Sequence, residues 1–302
     1  MNVLNLYTKA YRLLHNYPGV PYWVLTPLRK LVRYGANKSL PKYLAKTHVP
    51  QEMKAEGVIV SFTSFPARIN NVWQVVECML RQTYQPAKII LWLSKEQFPN
   101  IEEIPASLRE REGGAFEIRM VDDDIRSHKK YYYVSKEYPD SLIFLIDDDI
   151  YYPTDIIERT MKAHQEHSEA IICNYGYHIG YTENGELLPY NKWGKEYRYC
   201  TSADLFFGSG GGTLFKPSWL YKDLTNIDLA MKLTPIADDI WLNAMASISK
   251  KEKILVSGGL ILPIAIGDNI KLASKNKGED MNDLQLKAIM DYYGRLGISL
   301  FS

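Results

Sequence analysis

The sequence predicts an α/β fold in which a mixed, largely parallel sheet is flanked by helices. From residue 57 onward, short apolar runs rich in β-branched side chains alternate with segments whose apolar residues recur at the helical period. This alternation is typical of sheets with parallel neighbouring strands, because a helix connects each strand to the next. The 302 residues, 46% of them hydrophobic, suffice for one large domain with a buried core.

The elements can be assigned in order along the chain. Short runs of strand-forming residues predict strands at 58–62, 88–93, 116–121, 141–146 and 170–174. Apolar stripes and helix-start signals predict helices at 70–82, from Pro153 to about Gln165, and at 217–224, 235–246 and 282–293. Residues 176–199 are rich in Tyr, Gly and Asn, which predicts a hairpin or a loop.

Charge is divided unevenly along the chain. Residues 1–50 contain eight Lys and Arg and no Asp or Glu. The remaining residues hold 28 basic and 35 acidic side chains, so a segment of charge +8 precedes a body of charge −7. We therefore predict two regions, a basic and aromatic-rich N-terminal extension over 1–56 and the α/β domain over 57–302.

Two interpretations of this extension stay open. Its Leu, Tyr and Trp side chains could lie at a lipid interface while its cations meet anionic headgroups, as in helices that bind membrane surfaces. Alternatively, the aromatic side chains pack on the protein's own domain and the lysines are solvated. Nucleic acid is not an expected partner, because the remainder of the chain is acidic and carries no recognition motif.

Composition argues against several other classes. No stretch reaches the roughly 18 apolar residues of a membrane-spanning helix, and no apolar run precedes a small-residue cleavage site near the N-terminus. Cys78, Cys173 and Cys200 are odd in number and lack CxxC spacing, which speaks against a disulfide framework or structural zinc. We expect a cytoplasmic protein, at most peripheral on the inner membrane face, with oxygen or histidine ligands for any metal.

Three consecutive acids, Asp147, Asp148 and Asp149, directly follow the strand predicted at 141–146. Open α/β sheets bind ligands at the carboxyl ends of their strands, which is where these carboxylates emerge. Because successive residues of an extended segment point to opposite sides, Asp147 and Asp149 share one side. A hard divalent ion such as Mg²⁺ or Mn²⁺, completed by substrate phosphates, suits such ligands. The competing interpretation is an acidic turn that caps the next helix.

A second acidic pair opens the helix predicted at 235–246. Asp238 and Asp239 either stabilise the start of that helix or orient and deprotonate an attacking hydroxyl. Gly210, Gly211 and Gly212 precede the pair, and a glycine run lets backbone approach a ligand closely. A floppy surface loop would have the same glycines.

A third cluster, VDDDIRSHKKYYY at 121–133, also follows a predicted strand. Its acids could accept hydrogen bonds from a base or ribose, and its cations could meet a nucleotide diphosphate. The residues concerned are Asp122, Asp123, Asp124, Arg126, His128, Lys129 and Lys130. The alternative is a solvated helix start whose acids and bases compensate one another.

In this order, strand-terminal acids, a glycine run and a later acid pair resemble the GT-A nucleotide-sugar glycosyltransferases. The likeness extends over 58–246. Within this range the chain is similar to bacterial capsule and exopolysaccharide transferases with a strand ending in DDDI-Y-P. A more remote likeness is to exostosin-type transferases, whose triple Asp is followed by a CDDIAMN-like segment, matched here by ADDIWLN at 237–243. Ala237 stands where the exostosins have Cys.

The resemblance implies a GT-A fold and a set of site residues. Asp147 and Asp149 would form the DxD motif, with Asp149 the principal metal ligand, and Asp238 and Asp239 would be the catalytic or acceptor-orienting carboxylates. The nucleotide would be bound by Thr63, Arg68, Asp122, Asp123, Arg126, Lys129, Lys130, Asp147, Asp148, Gly211 and Gly212.

The implied activity is metal-dependent transfer of a sugar from a nucleotide diphosphate sugar, UDP-linked by preference. The implied acceptor is a glycan or lipid-linked glycan in capsule or surface polysaccharide synthesis, with Mn²⁺ or Mg²⁺ as cofactor. An anionic membrane surface is a further partner if the lipid-interface interpretation of the N-terminal extension holds. Two alternatives stay open, a non-catalytic carbohydrate-binding protein and a sugar-phosphate nucleotidyltransferase. The second normally has a glycine-rich loop after its first strand, and SFTSFPAR at 61–68 has no glycine.

Overall fold

The computed structural model describes residues 2–14, 20–21, 23–46, 57–196, 200–202, 204–256, 261–265 and 281–301. Its α-helices are α1 (Val3–Leu13), α2 (Thr26–Lys46), α3 (Val72–Leu80), α4 (Ala106–Arg109), α5 (Lys129–Glu137), α6 (Ile156–Glu166), α7 (Ile227–Leu233), α8 (Asp238–Ile248) and α9 (Met281–Gly294). Its strands are β1 (Ile59–Thr63), β2 (Lys88–Ser94), β3 (Phe116–Val121), β4 (Ile143–Ile146), β5 (Ile150–Tyr151), β6 (Ile171–Cys173), β7 (Gly176–His178), β8 (Gly194–Glu196), β9 (Cys200–Thr201), β10 (Leu205–Phe207), β11 (Gly211–Phe215), β12 (Lys253–Leu255) and β13 (Leu262–Pro263).

Eight strands form one large mixed sheet in the order β3-β2-β1-β4-β11-β6-β12-β9. The first four are mutually parallel, and β12 is parallel to β6. Strand β11 is antiparallel to both of its neighbours, β4 and β6, and β9 is antiparallel to β12. The prediction of an α/β protein with a mixed, mostly parallel sheet flanked by helices is confirmed, and the order is compatible with a Rossmann-like fold.

Alternation along the strands places apolar side chains on both faces of this sheet. In β4, Phe144 and Ile146 face one core cluster, and Ile143 and Leu145 face the other. The first cluster includes residues of α2, α3 and α6, and the second includes residues of α5, α7, α8 and α9. A strand buried on both sides needs a continuous apolar run, which is why SLIFLI at 141–146 is recognisable in the sequence.

The predicted strands and helices largely agree with the structure, with one difference. Residues 217–224 were expected to be a helix and instead form two 3₁₀ helices, Pro217–Trp219 and Lys222–Thr225. The backbone is extended at Leu220 and Tyr221 between them, so the α-helical ladder cannot continue. The segment predicted as a hairpin or loop contributes β7 and β8, which pair antiparallel in a small sheet with β10. Residues 197–199 of that segment lie outside the described part.

The N-terminal extension packs on the α/β domain through one side of its helices. Leu4 of α1 and Ala36, Leu40 and Leu44 of α2 are completely buried in the first core cluster. The Asn5 side chain donates to Thr154 and accepts from its backbone N–H, at 2.8 and 2.9 Å. Packing on the protein's own domain is thus correct for this side. The expected boundary at residue 56 falls within 47–56, outside the described part.

None of the helices in the described ranges is long and apolar enough to cross a bilayer.

Candidate active site

The triple Asp lies at the centre of the large sheet, where β4 ends. Because β4 is flanked by β1 and β11, the carboxylates emerge beside the loop after β1 and the glycine run before β11. Tyr152 joins these segments, since its hydroxyl accepts the Asp147 N–H at 2.8 Å and donates to the Gly210 carbonyl. The end of β4 is therefore held in place by backbone contacts.

The three carboxylates differ in exposure as the alternation of an extended segment predicts. The side chains of Asp147 and Asp149 are 41% and 25% exposed, whereas that of Asp148 is 6% exposed. Asp148 accepts hydrogen bonds from Ser64 Oγ at 2.6 Å and from Arg68 Nη1 at 2.8 Å. Asp147 and Asp149 are thus available to a ligand, while Asp148 holds the loop after β1.

Arg68 connects two of the acids. Its Nη1 atom lies 2.8 Å from Asp148 Oδ1 and 3.1 Å from Asp149 Oδ2. In the described part of the protein its Nε atom is buried without a hydrogen-bond partner. A buried donor without a partner is unfavourable, so this N–H is suited to donate a hydrogen bond to an oxygen of a bound anion. The expectation that Arg68 belongs to the triple-Asp site therefore has geometric support.

Lys130 joins the two acidic clusters that the sequence places far apart. From α5, its Nζ atom reaches Asp147 Oδ1 at 2.9 Å and Asp238 Oδ2 at 2.8 Å. Its side chain is 6% exposed, and the Lys130 carbonyl accepts a 2.6 Å hydrogen bond from Ser61 Oγ of β1. Burial acts to lower the pKa of Lys130, but Asp147, Asp238 and Asp239 together raise it well above its ordinary value. Lys130 is therefore a permanent cation between the carboxylates.

Asp238 and Asp239 are the first two residues of α8, and neither caps the helix, because Ala237 is the N-cap residue. Asp238 accepts from Ser209 Oγ and Asp239 accepts from the Ser209 N–H, both at 2.8 Å. Asn243, one turn into α8, accepts from the Phe207 N–H and donates to its carbonyl. The acid pair and the segment before the glycines are thus bound to each other.

Burial and charge separate the pKa values of these acids. Burial and the charge of Asp147 raise the pKa of Asp149 to about 7. Burial and the charge of Asp238 raise the pKa of Asp239 to about 7. Burial also opposes ionisation of Asp238, but Lys130 outweighs it and lowers the Asp238 pKa. The pair at the start of α8 therefore combines a firmly ionised carboxylate with one that titrates near neutrality.

The glycine run contributes through its first member. A Cβ atom on Gly210 would lie 1.8 Å from the Asp147 carboxylate, so only glycine allows this approach. Gly211 and Gly212 face the protein's own side chains, since a Cβ atom on each would lie 2.3 Å from Tyr175 and 2.8 Å from Phe144 respectively. Gly212 also has φ of +96°, which side chains disfavour. The structure thus places Gly211 and Gly212 in packing roles, and Gly210 at the carboxylates.

The third cluster lies at the edge of the sheet, where β3 ends. Asp122 is 84% exposed at its side chain and pairs with Lys95 at 2.7 Å, and Asp123 is exposed. Asp124 pairs with the buried Lys129. Among the described contacts of this third cluster, Lys130 is the cation that reaches the triple Asp.

Other predicted side chains take structural positions. The hydroxyl of Thr63 donates to the Trp92 carbonyl at 2.8 Å. Arg126 is exposed, with φ of +54°. His128 is buried, and its Nε2 lies 2.7 Å from the Thr234 carbonyl, an acceptor that requires Nε2 to carry a proton. Burial lowers the His128 pKa.

Sequence reasoning missed the residues that position the acids. Ser64, Tyr152, Ser209 and Asn243 each bind a carboxylate or the backbone beside one, as described above. Ser64 lies two residues after the end of the strand predicted at 58–62, so its place near a strand end was a usable signal. Ser209 and Asn243 act through segments that meet only in three dimensions.

Aromatic side chains lie on the Asp239 side of the site. Tyr175 and Tyr177 are joined through their hydroxyls, and Tyr177 and Tyr190 have ring centroids 6.0 Å apart. Burial and then the charge of Asp239 raise the pKa of Tyr190. Trp193 packs against Tyr190 and is only 6% exposed, so it has little free face for a sugar.

A groove with a volume of about 600 Å³ begins next to these tyrosines. It lies between residues 187–192 and α9, and Asp283 at its wall accepts the Tyr190 N–H at 2.8 Å. Trp219 lies elsewhere, near His164, and Trp241 is completely buried with its indole N–H on the Leu224 carbonyl. Trp241 is thus a core side chain and offers no ring face to a ligand.

The donor set suits a divalent ion only when a substrate completes it. Within the described ranges, no group of three or more His, Cys, Asp or Glu side chains is arranged to hold a metal ion. Asp147 and Asp149 offer two partly exposed carboxylates beside the unpartnered Arg68 N–H. Mg²⁺ usually takes one or two protein carboxylates together with water and substrate phosphates, so this set fits an ion that arrives with a nucleotide.

No protein-family model matches the sequence, and no curated protein proves similar to it.

Proposed function

We propose that the protein is a GT-A-type glycosyltransferase that uses a divalent ion to transfer a sugar from a nucleotide diphosphate sugar, UDP-linked by preference, to a glycan or lipid-linked glycan acceptor. The observation that carries the proposal is the meeting of Asp147–Asp149 with Asp238 and Asp239 around Lys130 at the carboxyl end of β4. Surface polysaccharide synthesis is the expected setting.

In this proposal, Asp149 and Asp147 hold the Mn²⁺ or Mg²⁺ ion. When bound, the ion supplies compensation for the negative charge that develops on the leaving diphosphate. The unpartnered Nε–H of Arg68 donates to a diphosphate oxygen, and Asp148 keeps the guanidinium in position by accepting from Nη1. Lys130 adds a fixed positive charge beside the same groups, which a water-excluding site makes effective.

Asp239 is the better candidate for a general base toward the acceptor hydroxyl. A base works best when its pKa lies near the working pH, and the Asp239 pKa is about 7. Asp238 is ionised and bound to Lys130 and Ser209, and its negative charge raises the pKa of Asp239. In an inverting reaction Asp239 would take the proton, and in a retaining one the pair would orient donor and acceptor.

The acceptor is expected on the tyrosine side of the acid pair. Tyr175 and Tyr190 offer rings and hydroxyls near Asp239, and Tyr177 adjoins both, a combination that suits sugar faces. The groove beside Tyr190 extends this surface toward α9. A non-catalytic carbohydrate-binding protein would use the same surface, but it would not need the raised Asp239 pKa.

The decisive experiment measures thermal stability of the purified protein with UDP, GDP, CMP and ADP, each with Mn²⁺ and with chelator. A nucleotide at about 100 times its dissociation constant stabilises the fold by about 2.7 kcal/mol, which is readily detected. We expect a Mn²⁺-dependent shift with UDP that Asp149→Asn removes and Asp122→Asn keeps. UDP release from UDP-sugars then tests turnover.

No shift with any nucleotide would contradict the proposal and favour a carbohydrate-binding module. A shift with a nucleoside triphosphate and a sugar phosphate, but not with UDP-sugars, would favour the nucleotidyltransferase.

A further inference from the structure

Exposed hydrophobic side chains are concentrated in the N-terminal helices. Eight of the eleven large hydrophobic side chains exposed in the described part lie between residues 3 and 34. They are Val3, Leu6, Leu13, Trp23, Val24, Leu28, Leu31 and Tyr34. Scattered exposed apolar residues are normal on any protein, but a contiguous exposed set indicates an interaction surface.

Helix α2 has two different sides. Ala36, Leu40 and Leu44 are completely buried on the domain. The exposed positions fall on the opposite side, with Leu31 and Tyr34 in the first half of the helix and Lys38 and Lys42 in the second. At 100° per residue these four side chains lie within about one quarter of the helix circumference. Apolar and cationic groups therefore share one outer face.

Helix α1 and the turn before α2 continue this surface. Leu4 is buried, whereas Leu6, Lys9 and Leu13 are exposed. Trp23, in the turn before α2, is 74% exposed. The two helices touch each other, since a Cβ atom on Gly35 of α2 would meet the Tyr7 ring of α1 at 3.3 Å. We call the exposed residues of 3–42 the outer face.

The charge of this region selects the kind of partner. Residues 1–50 contain eight cations and no acid, so no carboxylate of the segment neutralises its own lysines. Lys30, Lys38 and Lys42 are exposed next to the apolar side chains. Anionic lipid headgroups attract such lysines, while Trp, Tyr and Leu insert at the boundary between headgroup and acyl chain.

We propose that the outer face docks the protein on an anionic lipid bilayer, with α1 and α2 lying along the surface. The inner sides of both helices are anchored in the first core cluster, so docking needs no unfolding of the extension. This proposal does not depend on the catalytic proposal, because none of its residues belongs to the carboxylate site.

The test uses the full chain and sedimentation with vesicles of phosphatidylcholine, alone or with about 30% phosphatidylglycerol. We expect binding to the anionic vesicles only, weakened when salt rises from about 0.1 M to about 1 M. A cationic variant combines Lys30→Gln, Lys38→Gln and Lys42→Gln, and we expect vesicle partitioning to fall about 100-fold, since each lysine contributes independently.

An apolar variant combines Trp23→Ser, Leu31→Gln and Tyr34→Ser. We expect its vesicle partitioning to fall by about tenfold or more, because less apolar area is then buried in the bilayer. Matched controls change exposed residues elsewhere. They are Ile101→Gln, Leu284→Gln and Leu296→Gln for the apolar set, and Lys136→Gln, Lys162→Gln and Lys232→Gln for the cationic set. Both controls should bind as the parent does, and all variants should keep its melting temperature.

Equal binding by parent, variants and controls would overturn the proposal, as would absence of binding to anionic vesicles. Sedimentation velocity covers the main alternative, a second copy of the chain. A dimer that the apolar variant abolishes, in a protein without affinity for vesicles, would make the outer face a self-association surface and refute lipid docking. UDP-dependent thermal shifts in the same variants report separately on the catalytic proposal.

Discussion

The tetrapeptide Asp-Asp-Asp-Ile occurs twice in this chain, at 122–125 and at 147–150, and the two copies have different surroundings. Each directly follows a parallel strand, and each ends in a buried isoleucine, Ile125 at 9% and Ile150 at 6% exposure. Up to this point the two are alike in sequence, secondary structure and anchoring.

They differ in what lies next to the strand. The first copy follows β3, the edge strand, and the second follows β4, which lies between β1 and β11. Asp122 is largely exposed and pairs with the exposed Lys95, whereas Asp148 is buried on Arg68 and Ser64. Among the described residues, the central copy is therefore the one beside which neighbouring elements bring cations, further acids and close backbone.

The largest difference between the copies is expected in the rate of sugar transfer. Asp149→Asn should lower Mn²⁺-dependent sugar transfer about a thousandfold, because a bound ion contributes several kcal/mol to the transition state. Asp122→Asn, the same change at an exposed acid of the edge copy, should lower it by about threefold at most, since an exposed charge contributes little. Initial rates of UDP release from the active UDP-sugar measure both. Equal losses would show that the edge copy belongs to the site.

The second difference is in stability. Arg68→Met should lower the free energy of unfolding by about 3 kcal/mol, because it leaves the buried Asp148 without its cation. The corresponding change at the edge, Lys95→Met, should lower it by less than about 0.5 kcal/mol. Urea denaturation followed by tryptophan fluorescence provides both values. A harmless Arg68→Met would mean that Asp148 is solvated in the folded protein.

A third comparison concerns backbone approach, which only the central copy has. Gly210→Ala should weaken Mn²⁺–UDP binding by about tenfold to a hundredfold, because the new methyl group must push Asp147 away from its present place. Gly194→Ala is the control, since its Cβ atom would meet open space. Titration by thermal shift measures the affinities. Unchanged binding by Gly210→Ala would remove Asp147 from the ligand set.

The last expected difference is in the pH dependence of stability, where the effect is spread over several pH units. The folded-state pKa of Asp149, about 7, lies above its unfolded value near 4, so the folded protein binds more protons between these limits. The contribution of this group to stability therefore falls as pH rises from about 4 to about 7, by at most about 1.4 kcal/mol per unit. Asp149→Asn should flatten the profile over this range.

Urea midpoints at a series of pH values test this sign. The Asp239 group keeps some of the slope in Asp149→Asn, because its pKa is raised to about 7 in the same direction. A parallel profile for parent and Asp149→Asn would show that Asp149 ionises normally.

Much of the fold could be predicted because its signals are local. Continuous apolar runs such as that of β4 mark strands buried on both sides, and the regular alternation of strand and helix indicates a mostly parallel sheet. The helix predicted at 217–224 was wrong because Leu220 and Tyr221 take extended backbone between two short 3₁₀ turns. Packing of Leu220 and Leu224 into the second core cluster accompanies this arrangement, and no local pattern encodes it.

The candidate site likewise has features that the local sequence predicts and features that depend on packing. Its strand-end acids were predicted from position alone, because the residue after a parallel strand lies at the ligand-binding edge wherever the strand is in the sheet. Lys130 was expected to meet a diphosphate, and its contact with both Asp147 and Asp238 could not be foreseen. Lys129, the adjacent lysine, faces the edge copy instead, which only the orientation of α5 decides.

The sequence by itself determined the central strands and several of the helices, the acids at the strand ends and the concentration of positive charge before residue 50. The tertiary structure alone decided which of the two identical tetrapeptides is surrounded by Arg68, Lys130 and Asp238, and which side of α2 is left exposed. The physical reason is that strand order and burial depend on contacts between residues distant in the chain. Identical local sequences therefore acquire different burial and different hydrogen-bond and ion-pair partners.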